Sequence, residues 1–247
     1  MFAIKPNWPA PSWVHALTTT RLHGCSDEEH ASFNLAMHVD DNPEKVRLNR
    51  LRLRQSLNLK FEPVWLEQTY SSRLYEVRQP KNNLQQADGA YTKQVNLQCV
   101  VLTGDCLPLL LCDEQGSIVA AVHCGWRGML NGIIENAIQA MQNHAKGNLL
   151  AWMGPAIGPQ CFEVGEDVRQ PFIKHNLRAM QAFQSTSKPG KWLADIYQLA
   201  RIRLQSLGVN AIYGGDYCTF LDKEHFYSYR RDKTTGRMAT LIWLNPV

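Results

Sequence analysis

Two short segments carry residue types able to do chemistry. In Thr103-Gly-Asp-Cys-Leu-Pro108 a cysteine sits at a break between two apolar runs, and in Ala121-Val-His-Cys-Gly-Trp-Arg-Gly128 a histidine ends an apolar run before a glycine-bracketed turn. Cys106 and His123 are 17 residues apart, at the ends of what read as adjacent strands, so they can meet in space. Two chemistries are then open. A Cys106 thiolate could be a nucleophile whose ionisation the imidazolium favours, or both side chains could bind zinc with one more distant ligand and an open position for water. A buried cysteine and a satisfied core histidine would leave the same letters. Asp105 and Arg127, polar groups at strand ends where apolar packing gains little, weigh toward function and join the pair as candidate catalytic residues.

Two further segments read as site-forming. Gly154-Pro-Ala-Ile-Gly-Pro-Gln-Cys-Phe-Glu-Val-Gly165 is a Gly/Pro-rich loop after a strand and before a helix, and Ser228-Tyr-Arg-Arg-Asp-Lys-Thr-Thr-Gly-Arg237 carries five charges in ten residues. The second is either a solvated loop or, through its arginines and hydroxyls, a holder of phosphate.

The elements that must position these segments follow from pattern. Asn42 as cap and Pro43 in the first turn predict a helix to about residue 57. Val64–Tyr70, Cys99–Thr103, Leu107–Cys112, Ser117–His123, Leu149–Met153 and Met238–Leu244 read as strands, and residues 128–143, 165–176 and 193–207 as helices. Residues 79–86 and 184–190 read as surface loops. Strands and helices mix without strict alternation, which favours an α+β layered sandwich.

The 247 residues, 45% apolar, suffice for one large domain spanning 1–247. A net charge of +4 with no basic block argues against a nucleic-acid partner. No apolar run is long enough for a bilayer, so no membrane association is expected, and the start of the chain lacks signal-peptide features. Seven scattered cysteines without a C-x-x-C pair fit reduced thiols. Together these predict a cytoplasmic enzyme.

With these segments assembled, the chain resembles the YfiH-type family nearly end to end. The resemblance runs through Thr19-Thr-Arg21, Ser32-Phe-Asn-Leu-Ala-Met-His38, Asp41-Asn-Pro43, Trp65-Leu-Glu-Gln68, Thr103–Cys106, Val122–Gly128, Gly154–Val164, Cys218-Thr219 and Tyr229–Arg237. That family has been described as polyphenol oxidase or laccase-like, as purine nucleoside phosphorylase with adenosine deaminase activity, and as a peptidoglycan-precursor editing factor. The resemblance implies a four-layer α/β/β/α sandwich with mixed sheets, of the Cys/His-hydrolase kind also found in a bacterial deamidating toxin domain. It also implies substrate-binding side chains at Arg21, Asn34, His38, Arg50, Gln68 and Arg230.

The family binds zinc through a histidine of a Gln-x-His segment, the Cys matched by Cys106 and the His matched by His123. Here Tyr70 stands at the position of the first histidine. A phenol ionises near pH 10, so Tyr70 must lose a proton to ligate, and the expected site is a weakened one unless His38 or water substitutes. Copper is the other metal the resemblance allows. The eight histidines contain no H-x-H pair, which leaves a multicopper oxidase poorly supplied with ligands. The resemblance favours a purine nucleoside enzyme acting by phosphorolysis or deamination, with phosphate held by Arg21, Arg50, Arg127 or Arg230. The alternatives are an amidase removing serine from UDP-muramoyl-serine, whose nucleotide would also seek basic side chains, and a binding protein without turnover.

Overall fold

The computed structural model describes residues 3–81 and 83–246. Two sheets pack face to face. One has four strands in the order Ala3–Ile4, Val14–Thr19, Met238–Leu244, Gln98–Thr103, all antiparallel. The other has six, in the order Ala211–Gly214, Leu149–Met153, Leu107–Asp113, Val119–Cys124, Gly89–Thr92, Leu74–Glu76, with its two edge pairs parallel and the rest antiparallel.

Strand alternation sorts the side chains into three apolar layers. Cys99, Val101, Leu110, Cys112, Val119, Ala121, Trp152 and Ile242 fill the space between the sheets. Val100, Leu102, Leu241 and Trp243 face outward from the four-stranded sheet onto Leu53 of the helix Pro43–Ser56. Leu109, Leu111, Ala120, Val122 and Cys124 face outward from the six-stranded sheet onto the helices Ile133–Gln142, Glu166–His175 and Ile196–Ser206. This is the expected α/β/β/α order. Strands buried on both faces explain why the central runs are continuously apolar.

The first helix starts as its residues dictate: Asn42 Oδ1 accepts from the Glu44 N–H at 2.9 Å, with Pro43 in the first turn. Several of these expectations need correction. The helix expected over 128–143 is two, Trp126–Leu130 and Ile133–Gln142, because Gly132 adopts φ +88°, which glycine alone tolerates cheaply. The segment 193–207 opens as a strand, Lys191–Ala194, before its helix begins at Ile196, capped by Asp195. The strand expected over Val64–Tyr70 is limited to Leu66–Glu67, since the following amides leave the ladder for a carboxylate described below. The expected loop 79–86 includes a short strand, Gln85–Gln86, and Asn82, which lies outside the described residues.

Candidate functional site

The strand pair Leu107–Asp113 and Val119–Cys124 sets Leu107 opposite Cys124 and Pro108 opposite His123, so the residue before the first strand, Cys106, arrives beside His123. Alternation sends Cys124 into the helical layer and His123 to the other face. The Cys106 sulfur lies close enough to His123 for its charge to act on the imidazole. The partner on the far side of the imidazole is Asp88, whose Oδ1 lies 2.9 Å from His123 Nδ1. Main-chain pairing aligns the two: Gly89 sits opposite Val122, and the His123 N–H donates to Asp88 O at 2.7 Å.

Asp88 is fully buried and saturated. Besides His123 it accepts from the N–H groups of Thr69 (3.1 Å), Tyr70 (3.0 Å) and Ser71 (2.6 Å) and from the Ser71 hydroxyl (2.7 Å). Those three amides would otherwise continue the Leu66–Glu67 strand. Capture by one carboxylate turns the chain, with Tyr70 at φ +59°, and swings the Tyr70 ring to 5.3 Å from the His123 ring. Gly125 completes the packing: a Cβ there would come within 3.0 Å of the Tyr70 ring and 3.3 Å of Cys106 Sγ.

Electrostatics follow from this geometry. Burial opposes charge on His123, but the Cys106 sulfur and the Asp88 carboxylate outweigh it and raise the imidazole to about 9. Burial would raise Asp88, and its bonds from His123 and Ser71 hold it below the ordinary value instead. Tyr70 is pushed up to about 12, first by negative charge on Cys106 and then by burial. His38 is lowered by burial and by Arg237, Arg50 and His123 nearby.

These groups open onto a cavity of about 480 Å³. Arg127, Arg230, Lys233 and Arg237 bring positive charge to its wall, and Tyr70, Trp126, Phe162 and Tyr229 bring aromatic rings. Arg237 is held by its own Nη1 on Thr235 O and Gly236 O, and Arg230 by Nη1 on Glu163 O at 2.8 Å. Arg127 stacks on Trp126 at 4.2 Å.

The structure brings Cys106, His123, Asp105, Arg127, His38, Gln68, Arg230 and Tyr70 to this one cavity. Asp105 contributes as a brace: its Oδ1 accepts from the Thr219 hydroxyl and its Oδ2 from the Arg230 N–H, both at 2.6 Å, in a left-handed conformation (φ +103°). Gln68 pins Leu102 through both amide atoms. Three expected substrate-binding residues lie off the cavity wall. Arg21 donates to Ala31 O and Lys223 O, Asn34 is buried on Ala36 and Asp41, and Arg50 donates to Leu35 O and stacks on Trp65 at 3.8 Å. Each satisfies backbone or side-chain groups of the surrounding shell. Asp88 and Arg237 were not anticipated as site residues. An acid between Ala87 and Gly89 at the mouth of a four-residue strand was the available signal for the first, and the charged segment 228–237 for the second.

As a metal centre the set is incomplete. Cys106 and His123, the latter oriented by a carboxylate, suit zinc or copper. The third donor is a phenol held protonated far above neutral pH, and among the described residues no group of three or more His, Cys, Asp and Glu could hold a metal ion. The residues present do not fit a three-ligand zinc site.

Residues 15–245 match the family described as multi-copper polyphenol oxidoreductase laccase. The chain is 46% identical over 241 residues to the purine nucleoside phosphorylase YfiH of Escherichia coli (strain K12), covering 98% of each. It is 46% identical over 244 residues to a purine nucleoside phosphorylase of Haemophilus influenzae, covering 98% of this chain and 99% of that one. Among solved structures, a Neisseria meningitidis protein superposes with a TM-score of 0.93 at 43% identity over 99% of both chains. The hypothetical protein YfiH of Bacillus licheniformis gives 0.88 at 29% identity, over 95% of this chain and 94% of that one.

Proposed function

This chain belongs to the multi-copper polyphenol oxidoreductase laccase family, and on that premise we propose that it is a purine nucleoside phosphorylase with its catalytic centre at Cys106, His123 and Asp88. The relatives' names support the substrate class. The observation that carries the reading is the composition of the cavity, which sets four cationic side chains and four aromatic rings around one Cys–His–Asp line. The match over 15–245 supports treating the chain as one catalytic domain.

Phosphorolysis breaks the bond between ribose C1′ and the purine nitrogen and forms one from C1′ to a phosphate oxygen. The bonding pair leaves with the base, which takes up a proton. Arg127, Arg230, Lys233 and Arg237 hold the phosphate, and the rings of Tyr70, Trp126, Phe162 and Tyr229 offer faces to the purine. Asp88 accepts from His123 Nδ1, so Nε2 faces Cys106 and carries the proton that the departing base needs. Negative charge on the Cys106 sulfur stabilises the positive charge that develops at C1′. No step is assigned to a metal, and adenosine deamination has no assigned water-activating group in this donor set.

Replacing Arg237 by Gln tests the assignment. We expect KM for phosphate to rise at least tenfold, the usual scale of one charge-assisted bond, while KM for the nucleoside changes little. An equal rise in both would remove Arg237 from phosphate binding.

A second reading rests on the same Cys106–His123–Asp88 line, which is also the arrangement of a thiol nucleophile, its base and the group that orients the base. In that reading Cys106 attacks the amide of a UDP-muramoyl-serine precursor. Release of serine from that precursor, with no turnover of nucleosides, would favour it.

A further inference from the structure

A second pair of thiols lies behind the cavity. Cys218 precedes Thr219, and Cys161 sits in the turn of the 154–165 loop. Gly158 joins them: its N–H donates to Cys218 Sγ at 3.2 Å, and its carbonyl accepts from the Cys161 N–H at 3.0 Å. A Cβ at Gly158 would lie 3.0 Å from both Cβ and Sγ of Cys218, so only glycine lets this turn fold so close. The Cys161 and Cys218 side chains lie near enough for the Cys218 sulfur to oppose ionisation of Cys161. Both cysteines are free and half-buried, whereas Cys99, Cys112 and Cys124 are sealed in the core. Neither lines the cavity.

We propose that Cys161 and Cys218 are a reversible redox site that closes to an intramolecular disulfide with a small disulfide of the glutathione type as oxidant. The Cys218 thiolate, its proton lost to solvent, attacks the oxidant's S–S bond and expels one thiolate, leaving a mixed disulfide. Cys161, deprotonated in turn, attacks the Cys218 sulfur and expels the second. Two protein thiols give up two electrons, one oxidant disulfide becomes two thiols, and the two protons pass to them. Burial and the neighbouring Cys218 raise Cys161 to about 11, so the closing step speeds up as pH rises.

Closure would fasten the loop beneath the cavity. Thr219 donates its N–H to Ala156 O and its hydroxyl to Asp105, the Ile157 N–H donates to Asp105 O, and Asp105 precedes Cys106. Phe162, next to Cys161, and Ile157 both form part of the cavity wall. A covalent link between 161 and 218 therefore restrains a wall of the site without consuming any of its chemical groups.

The test is to equilibrate the full chain in stepped ratios of reduced and oxidised glutathione, quench in acid, alkylate and map the peptides by mass. We expect a 161–218 linked peptide that fills with oxidation, disappears with dithiothreitol and survives in Cys106→Ala. Cys161→Ser should stop at the mixed disulfide on Cys218. Amide exchange across 157–162 should be slower in the oxidised than in the reduced wild type. Absence of the linked peptide at every ratio, or linkage of Cys218 to Cys106, overturns the redox site. Equal exchange in the two forms overturns the restraint. None of these readouts depends on the substrate.

Discussion

The Asp88 carboxylate lies 2.9 Å from His123 Nδ1 and also gathers the three amides of Thr69, Tyr70 and Ser71, so one buried side chain sets both the imidazole and the turn that presents Tyr70. An Asp88→Asn variant keeps the shape but loses the charge and one acceptor. We expect turnover to fall roughly 10²–10⁴-fold, as when a histidine loses its orienting carboxylate. We expect stability to fall by about 1–3 kcal/mol from the amides left short of an acceptor. Steady-state kinetics with a denaturant melt checks both. Unchanged turnover in a folded Asp88→Asn protein would reduce Asp88 to a structural part.

Stability should depend on pH through His123. Its folded-state value is raised to about 9, so the stabilisation is fully present below its ordinary 6.5 and is lost as pH rises between the two. The whole effect is on the order of a few kcal/mol. Asp88 works in the opposite range: held low, it stabilises above the ordinary carboxylate value and is lost in acid. Denaturant midpoints of wild type and Cys106→Ser at pH 6.5 and 9.5 isolate the histidine. The loss should be clearly smaller in Cys106→Ser, which lacks the sulfur charge. Equal losses would mean that Cys106 does not set the imidazole.

Much of this arrangement was legible in the sequence. Apolar runs around Gly104-Asp105-Cys106 and before His123 located the central strands, because strands buried on both faces leave a continuous signal. Cys106 and His123 stood out as polar residues at their ends. Asp88 escaped because its strand, Gly89–Thr92, is too short to show a period, and its partners at 69–71 are backbone amides that no side-chain pattern reveals. Arg21, Asn34 and Arg50 spend their hydrogen bonds on the backbone and side chains around the site, which tertiary contacts alone reveal.

The two neighbouring thiols should separate cleanly. Cys124 faces the apolar helical layer and burial raises its thiol well above the ordinary value, so Cys124→Ala should keep activity and cost about 1–2 kcal/mol of stability. Cys106→Ala should abolish activity. Equal losses of activity would mean that the wrong sulfur has been assigned.

Metal binding should respond to position 70. Tyr70 is a phenol raised to about 12, whereas a histidine would offer a neutral lone pair beside Cys106 and His123. We expect Tyr70→His to tighten zinc by at least the roughly 10–100-fold that a supporting group is worth. Dialysis against zinc at pH 7 followed by elemental analysis reads this directly. A full equivalent of zinc already held by the wild type would show that Tyr70 ligates or that another group supplies the third bond.

The most direct test of the central claim follows purified protein with inosine in phosphate buffer by ³¹P and ¹H NMR, beside a phosphate-free control and Cys106→Ala. The expected result is ribose 1-phosphate and hypoxanthine in equal amounts from the wild type, nothing without phosphate, and nothing from Cys106→Ala. Product from Cys106→Ala at the wild-type rate, or free ribose formed independently of phosphate, would contradict the account.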